Sequence, residues 1–301
     1  MQKILRFFTK KICSKMIRKL KIIKNIRNIK EFLFVLSNHF FTIKIFGIKI
    51  PRKNLNLVLA YLRLKKYRSQ FTISSNEIIF KIGEYTLTSS VYDESILMSF
   101  EENILNDEYQ LDSIDVNNKT IIDIGANIGD TALNFINRGA KRIYSLEPIP
   151  KTYNYLLQNI SNNSLEDRII PFNFGIGSKN ENLIIPIREN ASGGNSVTFV
   201  ERNRQNKQYS KDVEVSIITL EELSQQINSK VDLIKIDCEG CEYSIIQNDH
   251  LMEFFNPDII LIEYHMGEQN IREWLKNRNY EVVKSISKND NTGLIISKTS
   301  V

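Results

Sequence analysis

The spacing of apolar residues changes character along this chain. In residues 2–30, Ile4, Leu5, Phe8, Ile12, Met16, Leu20 and Ile23 recur every three or four positions with bases between them, which predicts an amphipathic helix. Residues 40–50 alternate, as a strand or short hairpin broken at Gly47 would. Residues 55–64 read as a short helix. Residues 71–90 read as a hairpin with turn points at Ser75-Asn76 and Gly83. A polar helical stretch, 93–108, leads to a turn around Asn117-Asn118. From residue 119 short apolar runs alternate with helical ones. Strands are expected at 120–124, 142–146, 169–174, 183–187, 213–217, 231–236, 259–262, 281–285 and 294–297. Helices are expected at 131–137, 152–160, 220–227, 243–247 and 271–278. Such βαβ alternation implies an α/β fold, a parallel sheet covered by helices on both faces, with ligands at the carboxyl ends of the strands.

Charge divides the chain at the place where the pattern changes. Residues 1–70 carry 19 Lys+Arg against one acid, Glu31, a sum of +18; the rest carries 21 bases and 34 acids, a sum of −13. The mild overall excess of +5 therefore hides two opposite parts, and a uniformly basic nucleic-acid-binding domain is excluded. The 301 residues, 42% hydrophobic and 25% charged, have globular values and suffice for a sizeable core. The organisation expected is a basic segment at 1–70, a strand-rich accessory region at 71–118 and an α/β domain at 119–301. No apolar run near the N-terminus approaches the roughly 18–20 residues of a membrane span, and bases interrupt every candidate signal core. Three cysteines are too few for a disulfide framework, so a cytoplasmic location is the default.

The chemistry concentrates in a few motifs. Residues 121–131, IIDIGANIGDT, lie between a strand and a helix. Gly125 and Gly129 let the backbone turn sharply and approach a ligand, and Asp123 stands two residues upstream. The second glycine of the pyrophosphate loop is missing, and an acid here would repel a pyrophosphate and attract an ammonium or sulfonium. Glu147 ends the next strand, placed to accept hydrogen bonds from both hydroxyls of a ribose. Together they point to a nucleoside cofactor with a cationic tail, which S-adenosylmethionine is.

Residues 120–160, 231–242 (VDLIKIDCEGCE) and 259–265 (IILIEYH) resemble the FkbM-type family of S-adenosylmethionine-dependent methyltransferases. The resemblance covers roughly residues 84–285 and rests on three separated motifs in the family's order. It implies a class I methyltransferase fold, a Rossmann-like seven-stranded, mostly parallel sheet with its last strand antiparallel, and O-methylation of sugars or natural-product hydroxyls. Carried over by position, Asp123, Gly125, Asn127 and Gly129 would line the methionine end of the cofactor and Glu147 would bind its ribose. The acid that many class I enzymes place after the third strand is missing from FNFGIG at 172–177. Asn173 or backbone groups would read the adenine instead. Cys238 and Cys241 stand where the family usually has small aliphatic residues.

Methyl transfer to a hydroxyl needs in-line alignment and a base. Asp237, at the end of an apolar strand, and His265, at the end of the next, are the candidates for that base, with Glu239 beside them. The alternatives are a half-buried structural histidine and acids that complement a helix dipole. A second active reading gathers a divalent metal on Asp237, Glu239, Glu263 and His265; no metal ligand is assigned. The C-x-x-C of Cys238 and Cys241 has zinc or redox spacing, but no second pair completes a structural zinc site, so two small buried side chains are expected. The long polar connection at 188–211, with Gly193-Gly194, is either a solvated excursion or a lid whose Asn190, Ser192 and Asn195 face a polyhydroxylated acceptor.

The reading that results is methyl transfer from S-adenosylmethionine to a sugar or polysaccharide hydroxyl. Its rivals are methylation of a small natural product and a non-catalytic nucleoside-binding protein docked through its basic N-terminus. Residues 1–30 suit an anionic membrane surface or packing on an acidic domain better than nucleic acid, since they carry no recognised nucleic-acid motif. The sequence says nothing of oligomeric state.

Overall fold

A computed structural model describes residues 43–45, 48–50, 55–74, 76–206, 208–209, 211–248 and 251–300. The expected amphipathic helix at 2–30 lies outside them. The chain divides into two compact units, Met1–Arg68 and Ser69–Val301. In the first, β1 (Ile43–Ile45) and β2 (Ile48–Ile50) pair antiparallel, and α1 spans Leu55–Leu64. Leu57, Ala60, Tyr61 and Leu64 are buried, and their spacing of three and four places them on one face of α1.

The second unit is built on a seven-stranded sheet. Its strands are β6 (Thr120–Ile124), β7 (Arg142–Leu146), β8 (Ile169–Phe172), β12 (Leu233–Ile236), β13 (Ile259–Tyr264), β14 (Tyr280–Ser287) and β15 (Gly293–Thr299). They lie in the order β14-β15-β13-β12-β6-β7-β8. Strands β13 through β8 run parallel, while β15 is antiparallel to both β13 and β14. This is the class I methyltransferase fold, α/β with a mostly parallel sheet. The central strands read as apolar runs because both faces are covered: Ile121, Ile122, Ile124, Leu233, Ile234, Ile236, Ile260, Leu261 and Ile262 are all at most 1% exposed. Each Ile or Leu so buried contributes about 1.5–3 kcal/mol. Strand order reverses between β6 and β12, so the crevice opens at their carboxyl ends, where Gly125 and Asp237 stand.

A second sheet is a meander, β3 (Phe71–Ser74), β4 (Glu77–Ile82) and β5 (Tyr85–Ser90), so the single hairpin expected at 71–90 has a third strand. It is clamped by the helix Pro150–Asn162 and the residue after it. Asn159, 1% exposed, accepts the Thr88 N–H at 2.7 Å and donates to the Thr88 carbonyl at 3.1 Å and the Ile128 carbonyl at 2.9 Å. Asn163 does the same to Thr86, accepting its N–H at 2.8 Å and donating to its carbonyl at 2.7 Å. Residues 86 and 88 are alternate positions on a strand, and 159 and 163 are one turn apart on a helix. Two amides thus stand in for the neighbour that strand edge lacks.

A third sheet joins β9 (Gly175–Ile176), β10 (Glu181–Ile187) and β11 (Lys211–Ile218). The polar connection at 188–211 links the latter two and carries a short helix, Val200–Arg204, that the sequence pattern did not indicate. Among the described residues, no helix is long and apolar enough to cross a membrane.

Candidate active site

A cavity of about 370 Å³ opens above the carboxyl ends of β6, β7, β12 and β13. One end is lined by Gly125, Asn127, Glu147, Pro148, Ile149, Ile176 and Ile185; the other by Tyr109, Lys235, Asp237, Cys238, Glu239, Glu263 and Lys288.

The first end is shaped by the turn after β6. Gly125 has φ +82°, and a Cβ there would fall 1.9 Å from the Asp237 carbonyl, so only glycine lets the two strand ends approach. Asn127 is also left-handed, at φ +50°. Its backbone N–H donates to Glu147 Oε2 at 3.1 Å, and the Ile149 N–H donates to Oε1 at 2.9 Å. Burial raises the Glu147 carboxyl to about 7, against the pull of those two donors. The Asn127 side-chain oxygen is buried without a hydrogen-bond partner. An orphaned acceptor and a carboxylate, beside an apolar wall of Pro148, Ile149, Ile176 and Ile185, fit a nucleoside with a donor-bearing tail.

Three residues expected to touch the cofactor do not line this cavity. Asp123 is fully buried, and Lys235 Nζ, itself 1% exposed, lies 3.0 Å from its Oδ1. Burial pushes the Asp123 carboxyl up and Lys235 pulls it down. The same ammonium donates to the Gly125 carbonyl at 2.9 Å and lies 3.7 Å from Asp237 Oδ2. Asp123 thus anchors the cation that ties the glycine turn to Asp237, one step below the surface. Gly129, at φ +93°, packs where a Cβ would meet Leu156 Cδ1 at 2.8 Å. Asn173 donates to the carbonyls of Glu147 at 2.9 Å and Pro148 at 3.2 Å, and so braces the loop after β7.

At the second end Asp237 and Glu239 line the cavity, and His265, which does not, stands beside them because β12 and β13 are parallel neighbours in register. His265 Nδ1 lies 2.9 Å from Glu242 Oε1, while Nε2 lies 3.6 Å from Glu239 and 3.9 Å from Asp237. Burial alone would lower the imidazole pKa; the Glu242 hydrogen bond and the Asp237 and Glu239 charges overcome it and raise it to about 9. The ring therefore carries both protons at neutral pH. Burial opposes ionisation of Asp237, but Lys235, His265 and a hydrogen bond from Tyr109 to Oδ2 leave its carboxyl below the usual range. Burial raises Glu239, and burial together with Asp237 raises Glu263 to about 7 despite Lys288. Asp237, Glu263 and His265 each present a ligand atom within 4.8 Å of the others, a spacing that a metal ion could bridge. Lys235 beside Asp237, and Lys288 at 2.7 Å from Glu263, already set positive charge against both carboxylates.

Tyr109, Lys235 and Lys288 escape a reading by motif. Lys235 had a signal: a lone base in the buried run LIKI must find a carboxylate. Tyr109 had none, since it arrives from the strand-rich region, far away in sequence. The cysteines differ from expectation. Cys238 and Cys241 are joined in a disulfide, with Cα atoms 5.4 Å apart, where two small buried thiols are expected. Glu239 and Gly240, left-handed at φ +55° and +114°, fold the turn back so that the two side chains face each other, which spacing alone does not reveal.

The connection at 188–211 is pinned to the rim. Asp93 accepts the Ser192 N–H at 3.1 Å, Ser95 Oγ accepts the Gly193 N–H at 2.9 Å, and Ser196 Oγ donates to the Glu239 carbonyl. Ser192 and Asn195 line the cavity; Asn190 does not. The Asn195 amide donates to the carbonyls of Ala191 and Ser192 within its own loop.

Residues 123–282, just over half of the chain, match the family described as methyltransferase FkbM domain. A comparison with curated proteins finds no match. Among solved structures, the complex of aTrm5 and tRNALeu shares 13% identity over 76% of this chain and 54% of that one, with TM-score 0.44, so the chain spans about half of that relative's length. A putative rRNA-methylase from Clostridium thermocellum shares 13% identity over 65% of this chain and 96% of that one, TM-score 0.41. TYW2 of M. jannaschii, in complex with AdoMet, shares 14% identity over 75% of this chain and 87% of that one, TM-score 0.41. The strand order, rather than these likenesses, identifies the fold as that of S-adenosylmethionine-binding methyltransferases. The chain belongs to the FkbM methyltransferase domain family.

Proposed function

We propose that this protein transfers a methyl group from S-adenosylmethionine to a hydroxyl oxygen, with a sugar or polysaccharide as the acceptor class. The observation that carries the reading is one cavity lined at one end by Asn127 and Glu147 and at the other by Asp237 and Glu239, with His265 standing behind those two acids. Asn127 and Glu147 hold the cofactor's polar groups, and Gly125 gives the backbone its approach; Asp123, Gly129 and Asn173 act behind them. Bound there, S-adenosylmethionine supplies an electrophilic methyl group.

The chain's own residues prepare the acceptor. Asp237 is anionic; Tyr109 and Lys235 hold its Oδ2, while Oδ1 has the His265 ring 3.9 Å away and no hydrogen bond among the described residues, and Oδ1 is the oxygen that takes the hydroxyl proton. His265 already carries its protons at neutral pH and supports that carboxylate electrostatically rather than acting as the base. Glu239 offers a further hydrogen-bond acceptor. The same cavity is lined by Ser95, Ser99, Glu102 and Asn103, groups suited to a polyhydroxylated ligand. Its only aromatic lining among the described residues is Tyr109, which is tied to Asp237 and leaves no platform for stacking a base. The −13 sum of residues 71–301 also disfavours a nucleic-acid acceptor.

The test is methyl-labelled S-adenosylmethionine offered with saccharides, hydroxylated small molecules and tRNA in parallel. Label on a saccharide supports the reading. Label on tRNA alone would replace the acceptor class, and no cofactor binding at all would leave the non-catalytic rival.

A further inference from the structure

We propose that Cys238 and Cys241 form a thiol–disulfide site inside the active cavity, and that its oxidation state switches the positions of Glu239 and His265. Both sulfur-bearing residues line the cavity, and they close a four-residue turn between β12 and the helix Cys241–Asn248. That turn holds Glu239 and Gly240 in left-handed conformations, and Glu239 is a non-glycine residue there. A covalent closure fixes what the backbone alone disfavours.

The turn is wired to the reaction centre through Glu242. This residue is fully buried, and its Oε2 accepts the Gly240 N–H at 2.8 Å and lies 3.5 Å from Cys238 Sγ. Its Oε1 lies 2.9 Å from His265 Nδ1. In the disulfide, Cys238 has no proton to give. Once reduced, its thiol is a new donor facing a carboxylate that already serves Gly240 and His265, and the freed turn no longer fixes Glu239. A second link runs to the rim: Ser196 Oγ donates to the Glu239 carbonyl, and Gly240 packs so closely under Thr198 and Phe199 that a Cβ would lie 2.9 Å from each. The oxidised turn therefore braces both the Glu242–His265 pair and the connection over the cavity.

The two sulfurs are unequal, as exchange chemistry requires. Cys241 is 2% exposed and begins the helix, whereas Cys238 is half-buried at the cavity wall. The thiolate of a small dithiol attacks Cys238 Sγ, the sulfur–sulfur bond breaks, and Cys241 leaves as a thiolate at a helix N-terminus. The reductant's second thiol then displaces Cys238 as a thiolate and closes its own disulfide. The dithiol's two protons go to the two cysteine sulfurs, so the protein gains two electrons and two protons and the dithiol becomes a cyclic disulfide. Oxidised glutathione drives the reverse.

The consequence for methyl transfer rests on the function proposed above; the bond and its effect on His265 do not. The full chain is equilibrated with dithiothreitol or with oxidised glutathione, and its thiols are counted by alkylation and mass. In parallel the His265 ring is followed by NMR on histidine-labelled protein, and S-adenosylhomocysteine binding by calorimetry serves as a separate check of the cofactor site. All three cysteines should alkylate after reduction; after oxidation Cys238 and Cys241 should resist alkylation and carry no glutathione adduct by mass, and the His265 resonances should move between the two states. The Cys238→Ser variant should show neither change with reductant. Three free thiols under oxidised glutathione would overturn the proposal. A disulfide that forms while the wild-type His265 resonances stay in place would overturn the switch, whatever the variant does.

Discussion

Much of the site's chemistry lies in which side chain faces which. Asp237 is useful because Tyr109 and Lys235 hold one of its oxygens and leave the other for the acceptor. Tyr109→Phe removes one hydroxyl from that arrangement. Turnover should fall about tenfold with S-adenosylhomocysteine affinity unchanged. Asp237→Asn should cost about 10²-fold in turnover with the same unchanged affinity, measured on any acceptor found by label transfer. Equal turnover in either variant would remove that residue from the reaction. Glu147 makes a pH prediction. Burial raises its carboxyl from the usual range to about 7, so it is largely neutral at pH 6 and ionised at pH 8. Ribose hydroxyls donate better to the ionised form, so cofactor affinity should drop by up to about tenfold between pH 8 and pH 6 by calorimetry. Glu147→Gln should flatten the profile. At this scale the sequence was only partly legible. Asp237, Glu239, His265 and Glu147 stand at strand ends and can be named from that; the pairing of Asp123 with Lys235 cannot, because a lone base in LIKI does not say which carboxylate on a neighbouring strand it meets.

The strands and helices were more legible than their neighbours. β6 and β7 begin and end where the apolar runs do, since both are covered on two faces and each holds one buried polar residue, Asp123 or Ser145, within an otherwise largely apolar run. The third strand of the meander and the helix Val200–Arg204 were missed. Both turns of the meander, Ser75-Asn76 and Gly83, show in the sequence and separate three short strands rather than the two of a hairpin, whereas a five-residue polar helix has no apolar period. The clamp of the meander was invisible too: Asn159 and Asn163 look like ordinary surface amides of a polar helix. Asn159→Ala leaves the Thr88 N–H and carbonyl buried without partners, and should cost about 2–3 kcal/mol in denaturant unfolding. A loss below about 0.5 kcal/mol would mean that water or relaxation satisfies them.

For the whole molecule, charge segregation remains the feature that composition shows and the catalytic domain does not absorb. We propose that residues 1–30 address the enzyme to an anionic surface. Deleting them should abolish co-sedimentation with phosphatidylglycerol vesicles and leave cofactor affinity intact; co-sedimentation retained by the shortened chain would overturn this, and an intact chain that does not co-sediment would leave packing on its own acidic part. We propose that the cavity above the four strand ends holds S-adenosylmethionine through Glu147. Titration of the intact chain with S-adenosylmethionine in a calorimeter, beside Glu147→Ala and with NAD as the competing nucleoside ligand, tests it most directly. The titration should show one saturable site for S-adenosylmethionine, none for NAD, and at least about tenfold weaker binding in the variant. Failure of the wild type to bind, or equal affinity in Glu147→Ala, would contradict it.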